Sequence, residues 1–228
     1  MPGPHFGPEL FDFLSELEED NTRDWFNANK PRYEAHVKGA AMAFIRDFEA
    51  PLHAVSPHFQ AIPKAVGGSL FRIYRDVRFS KDKSPYKTHT GVHFRHEAAK
   101  DAHAPGFYLH LAPGEVWGGF GIWMPPNPAL NKIRDAIVKR PDEWVAVQQA
   151  LAVAGMPCEM GQGLERVPRG YDKGHVHAEA LKRKSHAATF AFSPEQVVQP
   201  DFMDRYAAAC AQAAPMMRFV CDALGVAF

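Results

Sequence analysis

The chain has 228 residues, 26 Lys+Arg against 26 Asp+Glu, and a formal net charge of zero. That length supports one sizeable core, and neutrality excludes a protein that coats nucleic acid non-specifically, while leaving room for a local basic site. Three widely spaced cysteines, Cys158, Cys210 and Cys221, make neither a disulfide framework nor a metal-type CxxC, so they read as buried thiols in a reducing compartment.

The opening MPGPHFGPEL has no basic n-region and no apolar h-region, and no apolar run is long enough to span a bilayer. The expectation is a cytoplasmic protein with no signal peptide and no membrane contact. Residues 8–19 predict a helix, with Leu10, Phe13, Leu14 and Leu17 at helical spacing and Pro8 in the first turn. Asn21 or Thr22 caps the next turn. Pro31 is expected to open a further helix to about residue 50, with Tyr33, Val37, Phe44 and Phe48 on its buried face. Four aromatic and β-branched runs follow: GGSLFRIYRDVRF, GVHFRH, GFYLHLA and EVWGGFGIWM. They read as strands, the last three as an antiparallel meander. Helix returns over 126–153 with a break at Pro141. A loop-rich stretch, a short helix in HVHAEALKRK and a short strand AATFAF come next, and a long helix over 200–224 is split by Pro215. Helices, sheet, helices is the order of an α+β fold, here read as a single domain with a central, mainly antiparallel sheet.

The chemistry concentrates in FRIYRDVRFSKDKSPYK, residues 71–87, where six cations stand against two carboxylates. As a strand over 70–79, Phe71, Ile73, Val77 and Phe79 would share the buried face. Arg75 breaks the alternation. A buried, unpaired guanidinium is very costly, so Arg75 needs either a bulge that re-aims it or a carboxylate or anion partner. Arginine forks match carboxylate and phosphate oxygens. Arg72, Arg75, Arg78, Lys83, Tyr86 and Lys87 are therefore candidates for an anion pocket. Asp76 would orient one arginine or act as a base. The competing reading is a set of solvated charges bridged by Asp76 and Asp82.

The pattern RxxRDxRF followed by DKxxYK resembles the signature of a family of unknown function, DUF2461, found widely in bacteria and also in fungi. Here it is Arg72, Arg75-Asp76, Arg78-Phe79, then Asp82-Lys83 and Tyr86-Lys87. FLSELEEDNTRDWFNANKPRYE, GGFGIWMPPNPALNKIR and VPRGYDKGHVHAEALKRKS are similar to other parts of the same family, so the resemblance covers nearly the whole chain. One departure is EEDN before Thr22, where the family pattern has a pair of asparagines. The resemblance implies no known activity, substrate or cofactor.

The remaining clusters carry weaker signals. Arg169, Tyr171 and Lys182, in the basic segment 166–184, are candidates for a second wall of the anion pocket. His89, His93 and His110, with the pair His175 and His177, invite a metal reading. No supporting carboxylate or cysteine spacing and no HExxH accompanies them, so no metal site is assigned. There is no GxSxG nucleophile elbow. The glycines of WGGFG precede a strand-like run, which favours a bulge or close backbone approach over a dinucleotide loop. Three readings follow. The first is a pocket for a phosphorylated or otherwise anionic small molecule, with catalysis open. The second is a structural ion-pair network in a protein-interaction domain. The third is nucleic-acid binding through the same basic surface, for which Tyr74 and Tyr86 are the aromatics in place. The sequence names no cofactor and no oligomeric state.

Overall fold

A computed structural model describes residues 3–98, 103–156, 158, 161 and 163–228. Helix α1 (Pro8–Glu19) buries Leu10, Phe13, Leu14 and Leu17, the stripe its periodicity predicts. Thr22 caps α2 (Arg23–Arg32) by accepting the Trp25 N–H. Pro31 lies inside α2 and opens no new helix. The helix runs on through a π-helix (Tyr33–Gly39) into α3 (Ala40–Asp47), then α4 (Glu49–Val55). Pro31 has no N–H to give to the preceding turn, and the Tyr33 N–H is shared between the Asn29 and Lys30 carbonyls. The wider π spacing follows over Tyr33–Gly39. Gly39 allows that spacing, because a Cβ would lie 2.7 Å from the Glu34 carbonyl oxygen.

The sheet contains β1 (Thr90–Arg95), β2 (Gly106–Ala112), β3 (Glu115–Ile122) and β4 (His186–Phe192), in that spatial order and antiparallel throughout. The first three are the expected meander, and β4 is the expected AATFAF strand. Between β3 and β4 come α5 (Asn127–Lys139), α6 (Pro141–Val153) and the short α7 (Ala178–Lys182). After β4 come α8 (Pro194–Val197), α9 (Phe202–Gln212) and α10 (Ala214–Leu224), with Pro215 at the start of α10.

The expected strand over 70–79 does not form. Only Leu70, bridged to Val92, and Tyr74, bridged to Tyr86, take part in sheet-like pairing. Ile73 is buried, but Phe79 is 95% exposed. The Phe71 N–H bonds Gly91 on β1. Then the chain leaves that edge and doubles back, with Arg75 N–H to the Pro85 carbonyl and Lys87 N–H to the Ile73 carbonyl. A run this dense in charge satisfies itself locally in a turn rather than burying alternate residues.

One face of the sheet is the core face. Val92, Phe94, Phe107, Leu109, Leu111, Val116 and Phe120 join the same buried cluster as residues of α1, α3, α6, α9 and α10. Phe48, Phe94 and Tyr206 form its aromatic centre, with Phe48 at 4.9 Å from Phe94 and 5.1 Å from Tyr206. The other face carries Gly91, His93, Tyr108, His110, Trp117 and Gly119, none of which belongs to that cluster. The fold is α+β. Cys210 and Cys221 are buried thiols and Cys158 is half-buried. Among the described residues no helix is long and apolar enough to cross a membrane.

Candidate functional site

The doubled-back segment is fixed to α2 and to the residue before its cap by one ring and one side chain. The Asn21 amide donates to the Tyr86 carbonyl and its oxygen accepts the Tyr86 N–H, both at 3.1 Å. The Tyr86 ring then stacks on Phe26 of α2 at 4.1 Å and 17°. Tyr86 is buried and serves as this anchor.

Between this segment and the helix lies a cleft of about 210 Å³. Lys30 of α2, Tyr33, Glu34 and Lys38 of the π-helix, and Phe71, Arg72 and Tyr74 of the motif all line it. π-Turns are rare and recur at functional sites. Here the wider turn brings three residues of one helix, Tyr33, Glu34 and Lys38, to a single cleft. Glu34 accepts from Lys38 at 2.7 Å, an i,i+4 pair. Burial pushes the Tyr33 phenol up to about 12, so it stays protonated at neutral pH.

The motif cations separate into two groups. Arg75 pairs with Asp82, which answers the alternation defect with a carboxylate partner. Arg78 makes a bidentate pair with Asp76, and Lys83 donates to the Val77 carbonyl at 2.9 Å. These three are already engaged. Arg72 is exposed at the cleft and, among the described residues, has no hydrogen bond or ion pair; Lys30 is in the same position. Lys87 is half-buried, and its ammonium lies 5.4 Å from the Phe71 ring centroid with no carboxylate partner among the described residues. Burial, followed by the charge of Arg72, pulls the Lys87 pKa down.

Asp76 orients an arginine, and that arginine is Arg78. Its hydrogen bonds to Arg78 hold the Asp76 carboxyl down at about 2, far below the range in which a carboxylate accepts protons efficiently near neutrality. Asp82 is likewise pulled well down, first by Ser84 and then by Arg75.

The structure does not bring Arg169 and Lys182 to the motif. The motif joins the β1 edge beside Gly91 and His93 and runs past the Thr90 end. The basic segment leads into His186, which pairs with Ile122 at the opposite end of the opposite edge. The two therefore occupy diagonal corners of the sheet. Lys182 pairs with Glu179 at 2.6 Å, Arg169 is exposed, and the Tyr171 hydroxyl donates to Asp135 of α5 at 2.8 Å. The histidines are divided as well. His89 and His110 stack on each other at 4.5 Å, and no group of three His, Cys, Asp or Glu side chains placed to hold a metal occurs among the described residues.

Sequence reasoning missed Lys30, Tyr33, Glu34 and Lys38. The available signal was Pro31 inside a helical pattern with Gly39 eight positions on, but a π register leaves no periodicity to read in one turn.

A family model described as a conserved hypothetical protein, DUF2461, matches residues 9–219. The chain belongs to the DUF2461 family. The matched span runs from α1 into α10, so the whole cleft, the Asn21–Tyr86 anchor and the arginine motif lie inside the DUF2461 region. A search of curated proteins gave no match.

Proposed function

We propose that this DUF2461 protein binds a small anionic molecule, a phosphorylated one foremost, in the cleft between α2, the π-helix and the motif. Arg72 and Lys30 hold the anionic group. The observation that carries the reading is that Arg72 lines a concave site while the other arginines of the motif are each neutralised by a carboxylate. Among the described residues neither Arg72 nor Lys87 has a carboxylate at ion-pair distance, although the charge of Arg72 also acts on Asp76, and a bound anion would offset the repulsion between the two cations. Phe26, Tyr33, Phe71 and Tyr74 supply apolar walls. The cleft volume is below the roughly 300–1,000 Å³ of drug-sized sites, which favours a compact ligand over a dinucleotide. The Arg75–Asp82 and Arg78–Asp76 pairs favour a second role for the same motif: they fix the turn that presents Arg72.

The test is a thermal-shift screen of phosphorylated metabolites, carboxylates and nucleotides on the wild type and on Arg72→Ala. A ligand at about a hundred times its dissociation constant adds about 2.7 kcal/mol, roughly 5–11 °C for a chain of this size. The reading requires one anion class to stabilise the wild type and not a folded Arg72→Ala. Equal shifts in both proteins, or none in the wild type, would leave the motif as a structural network.

A further inference from the structure

The sheet face turned away from the core has an unusual composition. A solvated antiparallel face ordinarily alternates polar residues outward. This one carries His93, Tyr108, His110 and Trp117 over Gly91, Gly106 and Gly119, with His89 leaning in from the residue before β1. The glycines are there for the rings. A Cβ at Gly91 would meet the Tyr108 hydroxyl at 2.7 Å, one at Gly106 the His93 ring at 2.1 Å, and one at Gly119 the Trp117 ring at 3.0 Å.

Three of these rings form a row across the strands. His89 lies 4.5 Å from His110, and His110 lies 4.9 Å from Trp117 at an interplanar angle of 10°. That repeat is the spacing of adjacent strands, about 4.8 Å. The row is held in place: Trp117 Nε1 donates to Glu115 at 3.2 Å, and the Tyr108 hydroxyl lies 3.2 Å from His110 Nδ1. Burial lowers the pKa of both His89 and His110, so the row is uncharged at neutral pH.

The next position across from Trp117 is Ala191 on β4, which is exposed. On the side of Trp117 away from His110, β4 contributes only the methyl group of Ala191, and one more planar ring at the same spacing would stack there. At the opposite end of the row the charges of Lys87 and Arg75 act on His89. From the Ala191 position to the β1 edge is three strand spacings, about 14 Å, which suits an oligomer better than a mononucleotide.

We propose that this face binds single-stranded nucleic acid, with one unpaired base stacked on Trp117 above Ala191 and the backbone running along the ring row to Lys87. Stacking on a sheet-borne aromatic is sequence-tolerant, and it is the way such faces read unpaired bases elsewhere. The cleft and this face meet at Phe71, which lines the cleft and lies 6.0 Å from both His93 and Tyr108, but His89, His110, Trp117 and Ala191 do not line the cleft.

Fluorescence anisotropy on the full chain tests it. The probes are labelled hexadeoxyadenylate, hexariboadenylate and a hexamer of abasic sites with the same phosphates. The proteins are wild type, Trp117→Leu, Ala191→Leu and Arg72→Ala. The wild type should bind a base-bearing hexamer at least about tenfold more tightly than the abasic one. The DNA and RNA probes show which sugar is preferred. Trp117→Leu should remove the gain. Ala191→Leu, a change at an exposed position, should remove it too by filling the slot. Arg72→Ala should leave it intact. The salt dependence should have a log–log slope of about −0.7 for one phosphate neutralised at Lys87. Equal affinity for base-bearing and abasic hexamers, an Ala191→Leu protein that binds like wild type, or no binding at low salt would each overturn the proposal.

Discussion

His186, the first residue of β4, is fully buried. Neither of its ring nitrogens has a hydrogen-bond partner among the described residues, and the Trp144 ring meets it edge-on at 5.8 Å. Burial, then the charges of Arg134 and Arg183, brings its pKa down to about 3 from the ordinary 6.5. The unfolded chain therefore takes a proton on this residue below about 6.5, while the folded chain refuses it until about 3. The stability associated with the neutral ring is intact above pH 6.5 and is lost progressively as pH falls toward 3. Between pH 7 and pH 5 that amounts to about 2 kcal/mol for one such histidine, or roughly 4–8 °C in a chain of this size. His93, whose pKa burial lowers to about 4, adds a loss of the same sign. The clean measurement is a difference. Urea denaturation of wild type and His186→Phe at pH 7 and pH 5 should show the variant losing about 2 kcal/mol less across the interval. Phenylalanine keeps the edge-on ring contact and removes the titration. An equal acid loss in the two proteins would mean that His186 takes up its proton freely in the folded state, and the burial argument would be refuted.

Further outcomes follow from the way the motif is mounted. Asn21→Ala leaves the Tyr86 N–H and carbonyl without their partners, so it should cost about 1–3 kcal/mol, visible as a lower calorimetric midpoint; an unchanged midpoint contradicts the anchor role. Gly121 has φ +138°, and a Cβ there would lie 2.2 Å from the His186 carbonyl oxygen. Gly121→Ala should therefore lose more than about 3 kcal/mol, whereas a soluble variant with near-wild-type denaturation would exclude a close-packed β3–β4 seam. A double-mutant cycle on Arg75 and Asp82, whose carboxylate is largely exposed, should return a coupling of no more than about 1 kcal/mol. A much larger coupling would make the pair a main support of the fold.

The fold was legible where the pattern repeats. Leu10, Phe13, Leu14 and Leu17 mark α1, and the runs 90–95, 106–112 and 115–122 mark the meander. Pro141 and Pro215 mark two helix breaks, because proline acts locally and visibly. Residues 70–79 misled. Their alternation was real, but Asp76 and Asp82 each offered the nearby cations a local partner, and a turn formed in place of a strand. The motif identified the right neighbourhood and, through Arg72, one wall of the cleft. The opposite wall was hidden for two reasons. Lys30 and Lys38 look like ordinary solvated helix charges, and the π register, set by backbone bonds five residues apart, narrows the angle between Tyr33 and the i,i+4 pair Glu34 and Lys38. The ring row on the outer sheet face was hidden in a different way. His89 and His110 were grouped in the sequence as possible metal ligands, and only the cross-strand register shows Trp117 beside His110 and the three rings as a row.

The claim that Arg72 and Lys30 form an anion site is tested most directly by following their own side chains. Arginine Nε and lysine Nζ resonances, recorded by NMR during titration with inorganic phosphate and then pyrophosphate, report each cation separately. Saturable shifts are expected at Arg72 and Lys30, with the Tyr33 and Phe71 amides following and the paired Arg75 and Arg78 little moved. Shifts confined to Arg78 and the other exposed cations, or linear drift without saturation at every site, would contradict it.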